Sequence, residues 1–204
     1  MAMTLTQTVL TFDEFLARYG DDEGVELIDG ELFDLEPTGP HEEVAAFIGQ
    51  HLNAEILRLG VKYVLPHRCL IKPLGTATGF RPDVIVLDKA ALAAEPLWRR
   101  ESVIMLGSSV KLVAEVVSSN WQNDYARKVE DYAALEIPEY WIADYAAIGG
   151  ERFLGSLKRP ALTIYTLVGR RYQERIFRGG ETIVSPLFPA LKLTAAQVLD
   201  AWKE

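Results

Sequence analysis

In the segment KLVAEVVSS, residues 111–119, one carboxylate, Glu115, interrupts a run that is otherwise apolar. Alternation puts Val113, Glu115 and Val117 on one face of a strand and Leu112, Ala114 and Val116 on the other, so both faces are apolar, as in an interior strand covered on both sides. Burying an unpaired carboxylate there costs several kcal/mol, so a cation or a proton should meet it. A second acid, Asp83, opens the run DVIVL after Pro82, a residue suited to a strand's first position. It shares a face with Ile85 and Leu87. If the two strands are neighbours, Asp83 and Glu115 converge, and two close carboxylates repel unless a proton or cation lies between them. Oxygen-only ligands favour Mg2+ or Mn2+ retaining several waters.

The counter-charge is found on the next helix. At 100° per residue, Trp121, Tyr125, Val129, Tyr132 and Leu135 form one apolar sector, and Arg127, Glu130 and Asp131 lie opposite. Lys128 falls inside the apolar sector, with Asp124 at its edge. A helix starting just after Ser119 would cover the strand's C-terminal end, and the Lys128 stem could then reach Glu115. The alternative for Lys128 is a snorkelling side chain whose ammonium finds water; for Asp83 it is a cap or turn aspartate. Together, two carboxylates, a hard ion and an inward lysine supply the parts that phosphodiester hydrolysis needs.

The elements that must position these groups follow from pattern. TFDEFLARYG reads as a short helix with Thr11 and Glu14 as a capping box, and Asp29-Gly30 joins two alternating segments in a hairpin. A long amphipathic helix follows from PTGPH to Gly60. VKYVLPHRCLIKP and RPDVIVLD read as strands, and the connection from Asp88 to Ser109 is partly helical around AALAAEPLW. Then come the buried strand, the helix of Lys128, the strand EYWIAD, a C-terminal meander over 162–184 and a last helix, TAAQVLDAWK. Strands interleaved with helices predict an α/β sheet with helices packed on it.

The chain has 204 residues, 49% of them hydrophobic, and no linker or repeat divides it. No apolar stretch approaches the ~20 residues of a membrane span, and the N-terminal MAMTLTQTVLTFDEF lacks the pattern of a signal peptide. One cysteine, Cys69, fits a reducing cytoplasm, and three histidines without ligand spacing argue against structural zinc. The net charge of −8 opposes indiscriminate nucleic-acid binding and requires any such contact to be local.

The set Pro82-Asp83, Glu115-Val116-Val117, Asp124 and Lys128 resembles the Uma2 family (also called DUF820) of endonucleases, within the PD-(D/E)xK nuclease superfamily. ELIDGEL, PTGPH, EVVSSNWQNDYARKVEDYAALEIPEYWIAD and SPLFPALKL extend the resemblance from about Glu26 to Leu193. It implies a restriction-endonuclease-like mixed central sheet flanked by helices, with an N-terminal hairpin and a C-terminal β-meander: one domain over 1–204 with its core at about 41–145. It further implies Asp83 and Glu115 as catalytic metal ligands, the Val116 carbonyl as a third, and Mg2+ or Mn2+ as cofactor. Most superfamily members carry the lysine two residues after the glutamate, where this chain has Val117; the helix-borne lysine of Uma2-like proteins maps to Lys128, the residue the wheel selects. His41, Glu42 and Glu43 on the first long helix are accessory candidates, as are Asp124 and Tyr132. This chain has SSN where relatives usually carry a Ser-Pro-Ser type turn.

Two functions compete. One is a metal-dependent endonuclease acting on DNA, paired as a homodimer because two strands need two centres. The other is a non-catalytic, dimeric binding or regulatory protein that keeps the pocket as an ion-pair cluster. Trp98, Trp121, Tyr140 and Trp141 could stack on bases, although core positions suit their spacing better. Arg99, Arg100, Arg170, Arg171, Arg175 and Arg178 are the candidate backbone contacts, the first two in a connection that could overhang the site; a solvated charged face is the alternative.

Overall fold

The computed structural model describes residues 9–35 and 37–203; residues 1–8, read above for a leader, lie outside them. Helix α1 (Phe12–Tyr19) starts at the capping box, with the Thr11 hydroxyl accepting from the Glu14 N–H and the Glu14 carboxylate accepting from the Thr11 N–H. Strands β1 (Val25–Ile28) and β2 (Glu31–Asp34) form the hairpin, whose turn holds Asp29 at φ 50° and Gly30 at φ 85°. Positive φ at both central residues is what a type I′ turn requires, and Asp-Gly provides it at little cost. Helix α2 (Gly39–Leu59) ends at Gly60 in the left-handed region.

The main sheet takes β3 (Tyr63–Val64), β5 (Val84–Asp88), β7 (Val110–Val116), β8 (Glu139–Asp144), β9 (Ala161–Val168) and β10 (Arg171–Phe177), in the spatial order β10-β9-β8-β7-β5-β3. β7 and β8 are parallel and the other pairs antiparallel, so the sheet is mixed. β4 (Leu70–Ile71) and β6 (Val103–Ile104) form a separate parallel pair. Parallel neighbours need a crossover. Here it is a π turn (Asn123–Arg127) running into α3 (Lys128–Ala134).

Both faces of the sheet are covered. Val84, Val86, Leu112, Ala114, Val116, Trp141 and Ala143 pack against α2 and against α5 (Ala195–Leu199). Ile85, Leu87, Val113, Val117, Tyr140 and Ile142 pack against Tyr125 and Tyr132 of the crossover. Each fully buried apolar side chain contributes roughly 1.5–3 kcal/mol, enough in sum to hold one polar intruder such as Glu115 at a fixed depth.

Three local expectations are corrected. The run VKYVLPHRCLIKP is not one strand: Pro66 lacks the N–H a ladder needs, and the chain leaves the sheet edge after Val64 to join the β4–β6 pair. The crossover helix is not α throughout, since the Lys128 N–H reaches the Asn123 carbonyl, a π-type bond. In the meander over 162–184 the β9–β10 hairpin is regular, but ETIV contributes only an isolated bridge between Thr182 and Thr194. No helix among the described residues is long and apolar enough to cross a membrane.

Candidate functional site

The antiparallel register of β5 and β7 pairs Val84 with Ala114 and Ile85 with Val113, so the next pair outward sets Asp83 opposite Glu115. Both lie on the sheet face covered by the crossover, the face of Ile85, Val113 and Val117. They sit where the strands end, at a cleft of about 580 Å3 also lined by Glu26, His41, Asp124 and Lys128.

Lys128 is 3% exposed and points inward. Its Nζ lies 3.0 Å from Asp124 Oδ1, 3.2 Å from Glu115 Oε1 and 3.6 Å from Glu26 Oε2. The Phe80 ring stands 5.8 Å from the ammonium. Tyr132 donates its hydroxyl to Glu115 Oε1 at 3.0 Å, and the Tyr140 hydroxyl holds the Asp124 carbonyl at 3.0 Å. On the other side of Asp83, its Oδ2 accepts from the Val116 N–H at 2.7 Å. His41 Nε2 lies 2.9 Å from the Val116 carbonyl oxygen, to which it donates, and 3.4 Å from Asp83 Oδ2.

One cation is thus shared among several acids, and the proton affinities follow. Burial pulls the Lys128 ammonium down, but Glu115, Glu26 and Asp124 outweigh it and hold the group well above its usual range. Burial raises Glu115, Lys128 only partly offsets this, and Asp83, Asp124 and Glu26 raise it further. Asp124 is raised by burial to about 6, against the pull of Lys128. For His41 burial lowers the pKa, yet the bond and charge of Asp83, with Glu42 and the Val116 carbonyl, lift it to about 9. The lysine stays charged, and the acids around it resist ionising together.

The donors suit a hard dication. Four carboxylates (Glu26, Asp83, Glu115, Asp124) face one ammonium and one imidazole, all the acid donors are oxygens, and the cleft opens to water. Among the described residues no group of three or more His, Cys, Asp or Glu side chains is arranged as a ready-made ligand cage. Mg2+ does not need one, since it takes one or two carboxylates and keeps several waters. Asp83 and Glu115 are the pair that could hold it, beside a Val116 carbonyl that His41 also engages.

Of the residues selected from sequence, Asp83, Glu115, Val116, Lys128, Asp124, Tyr132 and His41 come together. Glu43 does not. It is exposed, two residues and so about 200° around α2 from the inward His41, and Glu42 lines the cleft instead. His41, for which an exposed position was the alternative, is buried. Tyr140 and Trp141 are fully buried in the core, away from any base. Arg99 and Arg100 are exposed and do not line the cleft, and Arg170 and Arg171 sit at the β9–β10 turn, at the opposite end of the sheet.

Glu26 was missed. It is 1% exposed, on the same face of β1 as the buried Ile28, and its Oε2 also accepts from the Arg81 N–H at 3.4 Å. The signal was present: an acid between apolar residues in VELI is the pattern that singled out Glu115. The hairpin that carries it is tied down by Arg81, which donates to the Val25, Tyr19 and Gly20 carbonyls. Arg127 adds a clamp from the crossover to Asp29 at 2.8 and 2.9 Å.

Comparison with known proteins agrees with this architecture. A crystal structure of "a putative nuclease belonging to DUF820" from Anabaena variabilis superposes with a TM-score of 0.69 at 16% identity, covering 95% of this chain and 99% of that one. At that identity the likeness shows the fold. No curated protein matches the chain. The Uma2 family, described as "Putative restriction endonuclease", matches residues 12–196. Nearly the whole chain is spanned by that match, and the protein belongs to the Uma2 family.

Proposed function

We propose that this protein is a divalent-metal-dependent endonuclease that hydrolyses phosphodiester bonds in DNA. The observation that carries the reading is the Asp83–Glu115 pair, opposed across β5 and β7 at an open cleft, with the Lys128 ammonium 3.2 Å from Glu115. Asp83 and Glu115, with the Val116 carbonyl, would hold Mg2+ or Mn2+. When bound, such an ion withdraws charge from a phosphate and acidifies water.

The chain's own residues supply the rest. A water oxygen attacks phosphorus, negative charge builds on the phosphoryl oxygens, and the bond to the leaving deoxyribose oxygen breaks, the water giving up a proton to solvent in the open cleft and the departing oxygen taking one from it. Lys128 is held too basic to accept the water's proton, so its part is to offset that charge. Asp124 and Glu26 keep the ammonium protonated, Tyr132 fixes one Glu115 oxygen, and His41 orients Asp83 and the Val116 carbonyl. Cutting both strands of a duplex would require two copies of the chain.

The test is nicking of supercoiled plasmid with Mg2+ or Mn2+. D83N and E115Q, which keep shape, should lose it by about 100-fold or more. Intact plasmid with wild-type protein under both metals would end the catalytic reading. One observation favours a second reading, a non-catalytic binding protein: the ammonium among three carboxylates is already a self-contained ion-pair cluster. Under that reading the same substitutions change stability alone, and added metal does not bind.

A further inference from the structure

The chain's charge is unevenly distributed. Between Arg152 and Arg178 lie seven of its 21 Lys and Arg residues against one acid, Glu174, in a protein of net charge −8. Four of the seven gather at one place. Arg152, Arg159 and Arg178 line a surface groove of about 450 Å3 formed by α4 (Glu151–Leu154), the loop after it and the end of β10, and Lys158 adjoins Arg159 in that loop. Among the described residues none of these four has a carboxylate within ion-pair distance, whereas Arg170 at the far turn pairs with Glu136. Arg152, Lys158 and Arg159 are exposed; the Arg178 guanidinium is half-buried and donates to the Leu154 carbonyl at 3.0 Å.

This groove opens at the same end of the sheet as the cleft. Val116 pairs with Ala143, Ala143 with Leu162 and Leu162 with Phe177, so Arg178 follows a straight cross-sheet row that begins beside Glu115. Three inter-strand steps of ~4.8 Å make the separation roughly 15 Å, comparable with the ~12 Å between the two backbones across a major groove. The two sites are also mechanically joined. Phe153, next to Arg152, stacks on Tyr125 at a centroid distance of 4.5 Å and meets Trp121 edge-on at 6.3 Å, and Tyr125 follows Asp124 in the turn that presents Lys128. A Cβ on Gly150 would come within 2.9 Å of the Trp121 ring, so the close fit of the α4 loop against the crossover depends on glycine there.

We infer that Arg152, Lys158, Arg159 and Arg178 form a phosphate-binding strip that holds the nucleic-acid backbone beyond the cleft, one groove width from the bond to be cut. The inference deepens the nuclease reading and rests on it for its ligand class. Unpaired cations positioned on a scaffold bind backbone phosphates with loss of counterions, so the strip's contribution is read in the salt dependence. It also resolves the difficulty of an acidic chain binding DNA: the attraction is confined to one strip.

Two double variants of the full chain carry equal charge changes, R152Q/R159Q in the strip and R170Q/R171Q at the opposite end. Each is titrated in EDTA against a fluorescein-labelled duplex of about 20 base pairs, long enough at ~3.4 Å per pair to span both sites. R152Q/R159Q should flatten the slope of log affinity against log salt by about 2 and weaken binding about tenfold or more near 0.1 M salt. In Mg2+ it should raise the KM of nicking by the same factor with kcat unchanged, and it should melt with wild type. R170Q/R171Q should leave affinity within about twofold, its loss being only a distant charge. Equal weakening by the two variants, an unchanged R152Q/R159Q, or a wild-type chain that binds no duplex (as a strip for an acidic protein would) overturns the inference. Strip-dependent binding without nicking upholds the strip and sinks the catalytic reading; nicking with R152Q/R159Q unchanged does the reverse.

Discussion

Buried carboxylates occur in two settings in this molecule. Away from the cleft each is satisfied by neutral N–H donors. Glu139 accepts from the Trp141 indole at 2.6 Å and the Leu187 N–H at 3.0 Å. Asp144 accepts from the Ile148 and Gly149 N–H groups at 3.0 and 2.9 Å, and Glu95 from Met105 and Leu106 at 2.9 and 3.2 Å. Each such acid has a neutral donor on each oxygen, Asp144 Oδ2 accepting also from the Tyr125 hydroxyl at 3.5 Å, and each holds a loop in place. In the cleft, Glu26, Glu115 and Asp124 instead crowd around a single ammonium, and Asp83 stands opposite Glu115. The first setting is what a fold does with a carboxylate that only holds structure. The second leaves negative charge in excess, which costs stability and is the kind of local conflict that a binding site accepts.

The difference between the two settings rests most heavily on Lys128. K128M leaves three buried carboxylates without their cation and should destabilise the protein by about 3–5 kcal/mol, read from urea unfolding. A change under about 1 kcal/mol would mean that the acids are held by something else.

Next in size is pH, measured without metal. His41 sits at about 9 in the fold against 6.5 free, under the charges of Asp83 on β5 and Glu42 on α2 and beside the Val116 carbonyl of β7. A raised folded pKa stabilises fully below 6.5, and that contribution is lost as pH climbs through 9. Asp124, raised to about 6, acts with the same sign lower down: the native state takes up a proton while the unfolded chain stays ionised. In EDTA the melting temperature should therefore fall from pH 6 to 9 by the equivalent of about 2–3 kcal/mol, and H41Q should flatten most of that limb.

One chemical change then sharpens the contrast between the regions. D144N leaves one of two N–H donors facing an amide that cannot accept from it, and should cost about 1–3 kcal/mol by thermal melting. E115Q alters an acid that burial and the neighbouring carboxylates already push toward its neutral form; without metal it should melt at or above wild type, by up to about 1 kcal/mol, while losing nicking. Opposite signs for the same acid-to-amide change would mark which carboxylates serve structure and which serve a ligand.

How much of this could be read in advance depended on whether a residue's signal was local. Glu115 and Lys128 were legible because a charge in an apolar run or an apolar helical sector breaks a period, and EYWIAD and the Asp29-Gly30 turn were legible for similar reasons. Asp83 depended on a strand pairing that sequence could only pose as a condition. Glu26 carried the same kind of signal, but it reaches the cleft from a separate two-stranded sheet, and nothing local says that the hairpin folds over α3. Glu43 was misplaced by assigning a whole helical turn to the site when only one side of it faces inward. The strip of Arg152, Lys158 and Arg159 was invisible because its position relative to Glu115 is set by three strand registers in succession.

The excess of carboxylates in the cleft is proposed to receive a hard dication. Calorimetric titration of metal-free protein with Mn2+ addresses this without relying on activity. Wild type should take up one or more ions per chain with a rise in melting temperature, and the D83N/E115Q double variant should take up none while remaining folded. Absence of binding heat in the wild type, or equal binding by the double variant, would contradict the account.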